Sequence, residues 1–211
     1  FYNFTSPEFN VNVCQLPFWT LTIYYSWKLY SKKNIDIKDC ILLGIFAAFG
    51  FLSKYLFIYL LVSIDLLFFY LIFIKKDRRY DHKYIIPLLV FIVLLIPHLF
   101  WLIKNDFITV SYGLHRSGLS EPNIIDHLKH PIIFFGKQIV ILIPFFILAS
   151  FIVSKLKFNM KFADKKLFFL IVVNMLPIFL IFLTSLILGA KIRTMWMTPF
   201  YLFFGTLLVY I

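Results

Sequence analysis

YLFIYLLVSIDLLFFYLIFIKKDRR, residues 55–79, is a largely apolar run of 20 residues that ends in a basic cluster. A run of about this length is needed for an α-helix to cross the hydrocarbon layer of a membrane. Basic residues directly after such a run are typical of a loop on the cytoplasmic side. This stretch therefore predicts a transmembrane helix whose C-terminal end faces the cytoplasm.

The rest of the chain has the same character. Of its 211 residues, 62% are hydrophobic and only 15% are charged, which is more apolar surface than a soluble domain buries. The net charge of +11 would also suit a nucleic-acid partner. The basic residues, however, lie in short clusters between apolar runs, and this pattern indicates membrane orientation and lipid contact, with no nucleic acid.

Several apolar segments divide the chain, and they lack the sustained alternation of a β-barrel. They cover about 14–30, 40–53, 55–74, 84–103, 132–153, 167–188 and 197–211. We therefore predict an all-α, polytopic transmembrane bundle that forms one domain over residues 1–211, with about seven membrane segments. Lys54 interrupts the long run 40–74 and predicts two short helices that meet near it. Because the chain starts at Phe1 and ends inside an apolar run, we expect a fragment that lacks its N-terminal part.

The orientation of the segments follows from the lysines and arginines in their loops. Loops 31–39, 75–83 and 154–166 together hold 13 basic residues, whereas the alternate segments 1–13, the Lys54 junction, 104–130 and 189–196 hold 6. The first three loops are therefore predicted to be cytoplasmic. The long segment 104–130 becomes an outer loop, in which residues 124–128 suggest a short interfacial helix.

The spacing of the cysteines and histidines gives little evidence for a disulfide or a metal site. The topology puts Cys14 and Cys40 at opposite membrane faces, so we expect no disulfide between them. His127 and His130 stand three residues apart beside Asp126, but this spacing alone is a weak metal signal, and we predict no metal site.

Charged residues within or beside the membrane are the informative ones, because burying them is costly. By the topology, one set lies in the outer third of the membrane or just beyond it: Lys54, His98, Lys137, Lys191 and Arg193. Grouped cations at one depth suggest a site for an anion such as a lipid phosphate. The alternative is that they face different directions and only anchor helix ends.

The acidic residues point less clearly to a functional site than the cations do. Asp65 lies near the middle of its segment, where a structural role competes with a functional one. A glycosyl-transfer base would be a carboxylate aimed at the acceptor hydroxyl. Nothing in the spacing selects one of the four outer acids, which are Glu8, Asp106, Glu121 and Asp126.

Ordered short motifs along nearly the whole chain resemble a known family. They are residues 5–8 (TSPE), 16–19 (LPFW), 50–55 (GFLSKY) after Gly44, 97–101 (PHLFW) with Asn105, 137–138 (KQ) with Pro144, and 195–199 (MWMTP). In this order they resemble bacterial relatives of the dolichyl-phosphate-mannose protein mannosyltransferases, including the lipid A aminoarabinose transferases. These proteins are integral-membrane glycosyltransferases of the GT-C class.

The resemblance implies an enzyme that transfers a hexosyl or pentosyl group from a polyprenyl-phosphate donor. The acceptor would be a lipid, glycan or protein on the periplasmic or extracellular face of a bacterial inner membrane. The family's catalytic base would lie upstream of Phe1, and Glu8 occupies the place of a second family acid. The resemblance assigns no cofactor, and it neither requires nor excludes a divalent cation.

The same resemblance and the outer-side cations together select candidate site residues. We expect Lys54, Lys191 and Arg193 to bind the donor phosphate, because fixed cations stabilise a leaving phosphate. Other residues are expected to line an outer cavity: Tyr55, His98, Trp101, Asn105, His115, Arg116, Lys137, Gln138 and Trp196.

Two other classes of protein remain as alternatives. A transporter or flippase of an anionic lipid or solute would need polar positions through the depth of several helices, and often internal repeats. The membrane-depth cations here lie mainly on the outer side, which favours chemistry at the surface. A non-catalytic membrane scaffold is the third option, and the outer loop with its basic residues weighs modestly against it.

The predicted topology can be tested by cysteine labelling in intact cells. In a variant whose Cys14 and Cys40 are replaced by serine, a cysteine placed at position 79, in the basic loop 75–83, should resist a membrane-impermeant reagent until the cells are opened, because that loop is predicted to be cytoplasmic. A cysteine at position 116, in the outer loop, is the control that should react in intact cells. Labelling at position 79 from outside would reject the topology.

Overall fold

The computed structural model of the chain describes residues 9–32, 34–77, 80–119, 123–153 and 164–211. Throughout these residues the regular elements are helices, which confirms the predicted all-α class. Four helices among them are long and apolar enough to cross a membrane, namely Tyr55–Ile74, His82–Lys104, Asp126–Phe151 and Lys165–Leu188. The described part divides into two compact units. The first is Asn10–Ile108, and the second is Thr109–Ile211 together with Phe9.

The first unit is built from four main helices. They are α1 (Val11–Ser31), α2 (Ile37–Ser53), α3 (Ile58–Phe69) and α4 (Ile86–Lys104). A 3₁₀ turn, Tyr55–Phe57, leads into α3, and a π-helical turn, Tyr70–Ile74, ends it. A second 3₁₀ turn, His82–Ile85, leads into α4. α2 packs against both α1 and α4. The predicted junction is confirmed, because Lys54 is extended (φ −166°, ψ 131°) between α2 and the turn that follows.

Small residues allow α2 to approach its neighbours closely. A Cβ on Gly44 would lie 2.6 Å from the carbonyl oxygen of Pro87 and 2.7 Å from Cβ of Val90. A Cβ on Gly50 would overlap the ring of Phe57, which is buried and packs edge-on against Trp19 with 5.4 Å between ring centroids. Because lipid supplies little hydrophobic drive between helices, such close packing is a main source of their association.

An ion-pair cluster ties α1 to α2 at the end of the unit where the loop lysines lie. The buried carboxylate of Asp39 accepts hydrogen bonds from Nζ of Lys28 at 2.7 Å and from Nζ of Lys32 at 3.0 Å. Burial raises the pKa of Asp39, but the lysine bonds outweigh burial and hold that pKa below its usual value. The carboxylate therefore stays ionised at neutral pH, and its contribution to stability is lost only as the pH falls through the lowered pKa.

The second unit differs from the predicted segments in three places. Its helices are α5 (Ile108–Arg116, of which Ile108 closes the first unit), α6 (Asp126–Val153), α7 (Lys165–Leu188) and α8 (Phe204–Tyr210), with a 3₁₀ helix Thr194–Tyr201 between the last two. The segment 104–130 therefore contains the unpredicted helix α5. Residues 124–128 do not form a separate helix, since α6 begins at Asp126 and continues through Pro131. The predicted segment 197–211 is broken, because the chain around Pro199 is a 3₁₀ helix that ends at Tyr201.

Two histidine contacts hold the start of α6 against the end of α7 in the second unit. Nδ1 of His127 lies 3.1 Å from the carbonyl oxygen of Leu186, and Nδ1 of His130 lies 2.7 Å from that of Gly189. These contacts join the start of α6 to the end of α7, where the left-handed Gly189 (φ +68°) terminates the helix. No cluster of metal-ligating side chains occurs among the described residues.

The close approach at Gly44 predicts a selective loss of stability. In Gly44→Ala the new methyl group meets a backbone carbonyl, so α2 and α4 must shift apart, at a cost of roughly 1–3 kcal/mol. Gly136→Ala is the matched helical control, because its Cβ meets nothing within 4 Å. Thermal unfolding in detergent should show a lower midpoint for Gly44→Ala and an unchanged or higher one for Gly136→Ala. Equal midpoints for the two variants would contradict the packing argument.

Candidate functional site

Polar and aromatic residues gather at one end of the first unit. The start of α1, the end of α2, the turn before α3 and the end of α4 meet there, because the four helices alternate in direction. Side-chain bonds link these helix ends through Asn12, Gln15, Lys54, Tyr55 and His98. We call this group the Lys54 end.

Lys54 is held by two side chains of α1. Its Nζ donates a hydrogen bond to Oδ1 of Asn12, with 2.5 Å between the two atoms. Its carbonyl oxygen accepts a bond from Nε2 of Gln15 at 2.9 Å, and Gln15 is fully buried. α1 begins at this level because Asn10 caps it, its side chain accepting from the backbone N–H groups of Asn12 and Val13. The buried side chain of Asn12 thus orients the ammonium group, and Gln15 binds the backbone of the same residue.

An aromatic group continues from Lys54 toward the end of α4. The hydroxyl of Tyr55 lies 2.8 Å from Nε2 of His98. The ring of His98 stacks against that of Trp101, with 5.9 Å between centroids and 12° between planes. Asn105 donates a bond to the carbonyl oxygen of Trp101 at 2.7 Å. Tyr55, His98, Trp101 and Asn105, which the sequence analysis selected separately, therefore form one connected set.

The opposite end of the first unit carries the loop lysines. Lys28 and Lys32 bind Asp39 there, and Nζ of Lys83 donates to the carbonyl oxygen of Ile35 at 3.2 Å. Lysines of the loops 31–39 and 75–83 therefore lie together, away from Lys54. This separation is the one that the charge pattern of the sequence requires.

A second cationic group lies within the second unit. Four cationic or titratable side chains, those of His115, Arg116, Lys191 and Arg193, line one open depression together with Tyr112 and Gly118. Nη1 of Arg116 donates to the hydroxyl of Tyr112 at 2.7 Å. The backbone N–H of Lys191 donates to the carbonyl oxygen of Ser117 at 2.8 Å, which joins the two chain segments. The structure thus brings together four of the predicted site residues.

The remaining predicted residues have different surroundings. Gln138 is buried, and its Oε1 accepts a 2.6 Å hydrogen bond from the hydroxyl of Tyr201. Trp196 lies in the 3₁₀ helix Thr194–Tyr201. Lys137 is exposed and lies about three turns into α6, deeper than predicted, because α6 begins at Asp126. Glu8 lies outside the described residues.

Some residues of the two groups were not selected from the sequence. Asn12 and Gln15 position Lys54, and Tyr112 positions Arg116. The signal for the first two was present, since polar residues spaced three apart lie on one face of a helix that is otherwise largely apolar. Tyr112 stands four residues before Arg116, a spacing that also brings two side chains together on a helix.

Asp65 lines a separate, mainly apolar cavity of about 250 Å³ in the first unit. The wall comes from α1, α2, α4, the segment 58–72 and Tyr84 of the turn before α4, and includes Leu29, Leu43 and Phe68. Asp65 is the only acidic residue among those that line it. The cavity is distinct from the Lys54 end, because none of the residues of that end lines it.

Comparison with known proteins gives one match. No curated protein and no solved structure is significantly similar to the chain. Residues 1–101, however, match the family model described as dolichyl-phosphate-mannose-protein mannosyltransferase. The matched residues include Asn12, Lys54, Tyr55, His98 and Trp101, and the resemblance seen in the short motifs is confirmed over this range. The chain is therefore a helical membrane protein that is similar, over residues 1–101, to the glycosyltransferases of the dolichyl-phosphate-mannose-protein mannosyltransferase family.

Proposed function

We propose that the protein transfers a sugar from a polyprenyl-phosphate donor to a lipid, glycan or protein acceptor on the outer face of the membrane. The observation that carries this proposal is the Lys54 end, which lies within the residues that match the glycosyltransferase family. There a lysine stands between two helices, held by Asn12 and Gln15 and flanked by Tyr55. The family match favours glycosyl transfer over the alternative of a transporter or flippase.

The proposed chemistry follows from the donor. An acceptor hydroxyl or phosphate attacks the anomeric carbon of the sugar, and the bond from that carbon to the phosphate oxygen of the donor breaks. The proton of an attacking hydroxyl goes to a carboxylate base, for which Glu8 is the proposed candidate in this sequence. Negative charge gathers on the leaving lipid phosphate as the bond breaks. A fixed cation beside that phosphate therefore lowers the barrier more than it strengthens binding of the donor.

Lys54 is proposed as this cation. Asn12 orients its ammonium group before the donor arrives, so little reorganisation is needed during the reaction. A lysine that only reaches the headgroups would need no buried amide partners of this kind.

Substitution of Lys54 tests the phosphate role. In the full-length enzyme, Lys54→Ala should lower the turnover of sugar transfer by roughly a hundredfold, because a preorganised charge-stabilising donor is lost. Lys54→Arg keeps the charge and should retain more activity than Lys54→Ala. Lys104→Ala, at the exposed end of α4, is the control and should leave transfer near normal. A correctly inserted Lys54→Ala enzyme with near-normal transfer would rule out the phosphate role.

Asn12 is proposed as a positioning residue that acts through Lys54. Asn12→Ala should lower transfer several-fold, less than Lys54→Ala does, because the ammonium group remains but is no longer oriented. If Asn12 acts only through Lys54, the double variant should be no slower than Lys54→Ala alone, since residues that work as a pair are not additive. Additive losses in this double-mutant cycle, at matched expression and insertion, would show that Asn12 has a separate role.

A further inference from the structure

Asp65 lies at the depth where a carboxyl group is most costly. It stands near the middle of the apolar helical segment Tyr55–Ile74, which has 20 residues. At a rise of about 1.5 Å per residue, either end of that segment is roughly 15 Å away. The short aspartate side chain cannot span this distance to water, as a lysine near a helix end does. Acids at this depth need a polar partner and commonly mark functional sites.

The described part of the chain gives Asp65 no polar partner. Its carboxyl group makes no hydrogen bond and no ion pair with any described residue. Ser63, two residues earlier, donates its hydroxyl to the carbonyl oxygen of Tyr59 at 2.6 Å. Lys28, which directly precedes a residue of the cavity wall, is bound to Asp39 at 2.7 Å. A partner for Asp65 is therefore to be sought outside the described side chains.

An apolar cavity begins at this carboxyl group. The residues that line it from this segment follow helical spacing and include Ile58, Leu61, Asp65, Phe68 and Ile72, so one helix face presents a single acid among apolar side chains. The volume is about 250 Å³. Since an apolar cavity of about 150 Å³ holds benzene, this one has room for a body of roughly ten non-hydrogen atoms. Asp65 is exposed, so the described chain leaves the cavity open to a molecule dissolved in the lipid.

Aromatic rings give the cavity a fixed wall. Phe68 packs against Tyr84 with 5.5 Å between ring centroids, and Phe91 packs edge-on against Phe51 at 5.7 Å. Three of these rings, those of Phe68, Tyr84 and Phe91, line the cavity itself. Aromatic faces attract cations as well as hydrocarbon. The wall therefore suits a ligand that is mainly apolar and carries one positively charged group.

We propose that this cavity binds a lipophilic amine, whose hydrocarbon body lies against the apolar wall and whose basic nitrogen pairs with Asp65. The nitrogen supplies the hydrogen-bond donors that the described chain does not offer to the carboxyl group. Whether the proton stays on the nitrogen or on the carboxyl group, the pair has no net charge, which lowers its cost in lipid. An alcohol makes a weaker hydrogen bond, and a carboxylate ligand would be repelled. The site does not depend on sugar transfer or on Lys54.

Photolabelling of the full-length protein in phosphatidylcholine vesicles tests the site. One probe is an octyl chain that carries a diazirine and a terminal primary amine, and the matched probe carries a hydroxyl group instead. Mass spectrometry should place the amine probe on peptides that contain Phe68 or Phe91. Excess octylamine should abolish this labelling. Octanol should compete roughly tenfold or more weakly, because it lacks the charge-assisted hydrogen bond.

Substitutions then locate the binding. Asp65→Asn should lower the saturable amine labelling roughly tenfold or more, because the charged partner is lost. Asp106→Asn is the matched control, since it neutralises an exposed acid outside the cavity, and it should label as the wild type does. Leu88→Trp enlarges a wall residue without changing Asp65 and should reduce the labelling by both probes. This variant and the comparison of amine with alcohol still test the site if Asp65→Asn does not fold.

Three outcomes would overturn the inference. The first is the absence of saturable labelling in the wild type. The second is equal labelling by the amine and alcohol probes, or unchanged amine labelling in Asp65→Asn, which would identify a simple hydrocarbon cavity. The third is a membrane protein that co-purifies with the wild type, is lost in Asp65→Asn and excludes the amine probe, which would assign this face to a protein partner.

Discussion

The backbone carbonyl groups at the end of α2 need hydrogen-bond partners, and this constraint shapes the whole Lys54 end. Where α2 stops, backbone carbonyl groups lose their helical partners, and leaving such groups unsatisfied in an apolar environment costs several kcal/mol each. Gln15 meets this need by donating to the carbonyl oxygen of Lys54 at 2.9 Å and approaching that of Gly50 at 3.5 Å. Asn12, one turn earlier, accepts from the ammonium group. α1 is therefore pinned to α2 by the same break that places a cation at this end.

Close packing along α2 and ion pairs at the opposite end of the first unit also hold α1 and α2 together. Gly44 and Gly50 bring α2 against α4 and against the turn that carries Phe57. At the opposite end, Asp39 binds two lysines of α1 and its connection to α2, so α1 is tied to α2 at both ends. The side-chain hydrogen bonds described above lie at the two ends of the first unit. Its middle holds mainly apolar side chains, together with the buried hydroxyl groups of Thr22, Ser26 and Ser63 and the cavity that Asp65 lines. This distribution suits a bundle whose chemistry takes place at one end.

Each unit presents cations in its own way. In the first unit the ammonium group of Lys54 is oriented by the side chain of Asn12, which suits a group that stabilises charge as it develops. In the second unit several cations share one open depression, which suits the binding of an anion that is already charged. The residues that arrange the cations, Asn12 and Gln15 in one case and Tyr112 and the turns at Gly118 and Gly189 in the other, are uncharged. These uncharged residues act through where they place hydrogen bonds and turns, and they add no charge themselves.

The sequence by itself determined the all-helical membrane class, the position of most helices, the break at Lys54 and the resemblance to the glycosyltransferase family. These features follow from local hydropathy, charge and motif order, which are properties of short stretches of chain. It did not determine that α6 begins at Asp126 or that residues around Pro199 form a 3₁₀ helix, because contacts such as those of His130 with Gly189 decide where a helix starts and ends. Only the tertiary structure decided that Asn12 and Gln15 hold Lys54, that Tyr55 meets His98, and that Arg116 shares a depression with Lys191. Each of these contacts joins residues more than 35 positions apart, and such contacts arise from the packing of whole helices, which no local pattern specifies.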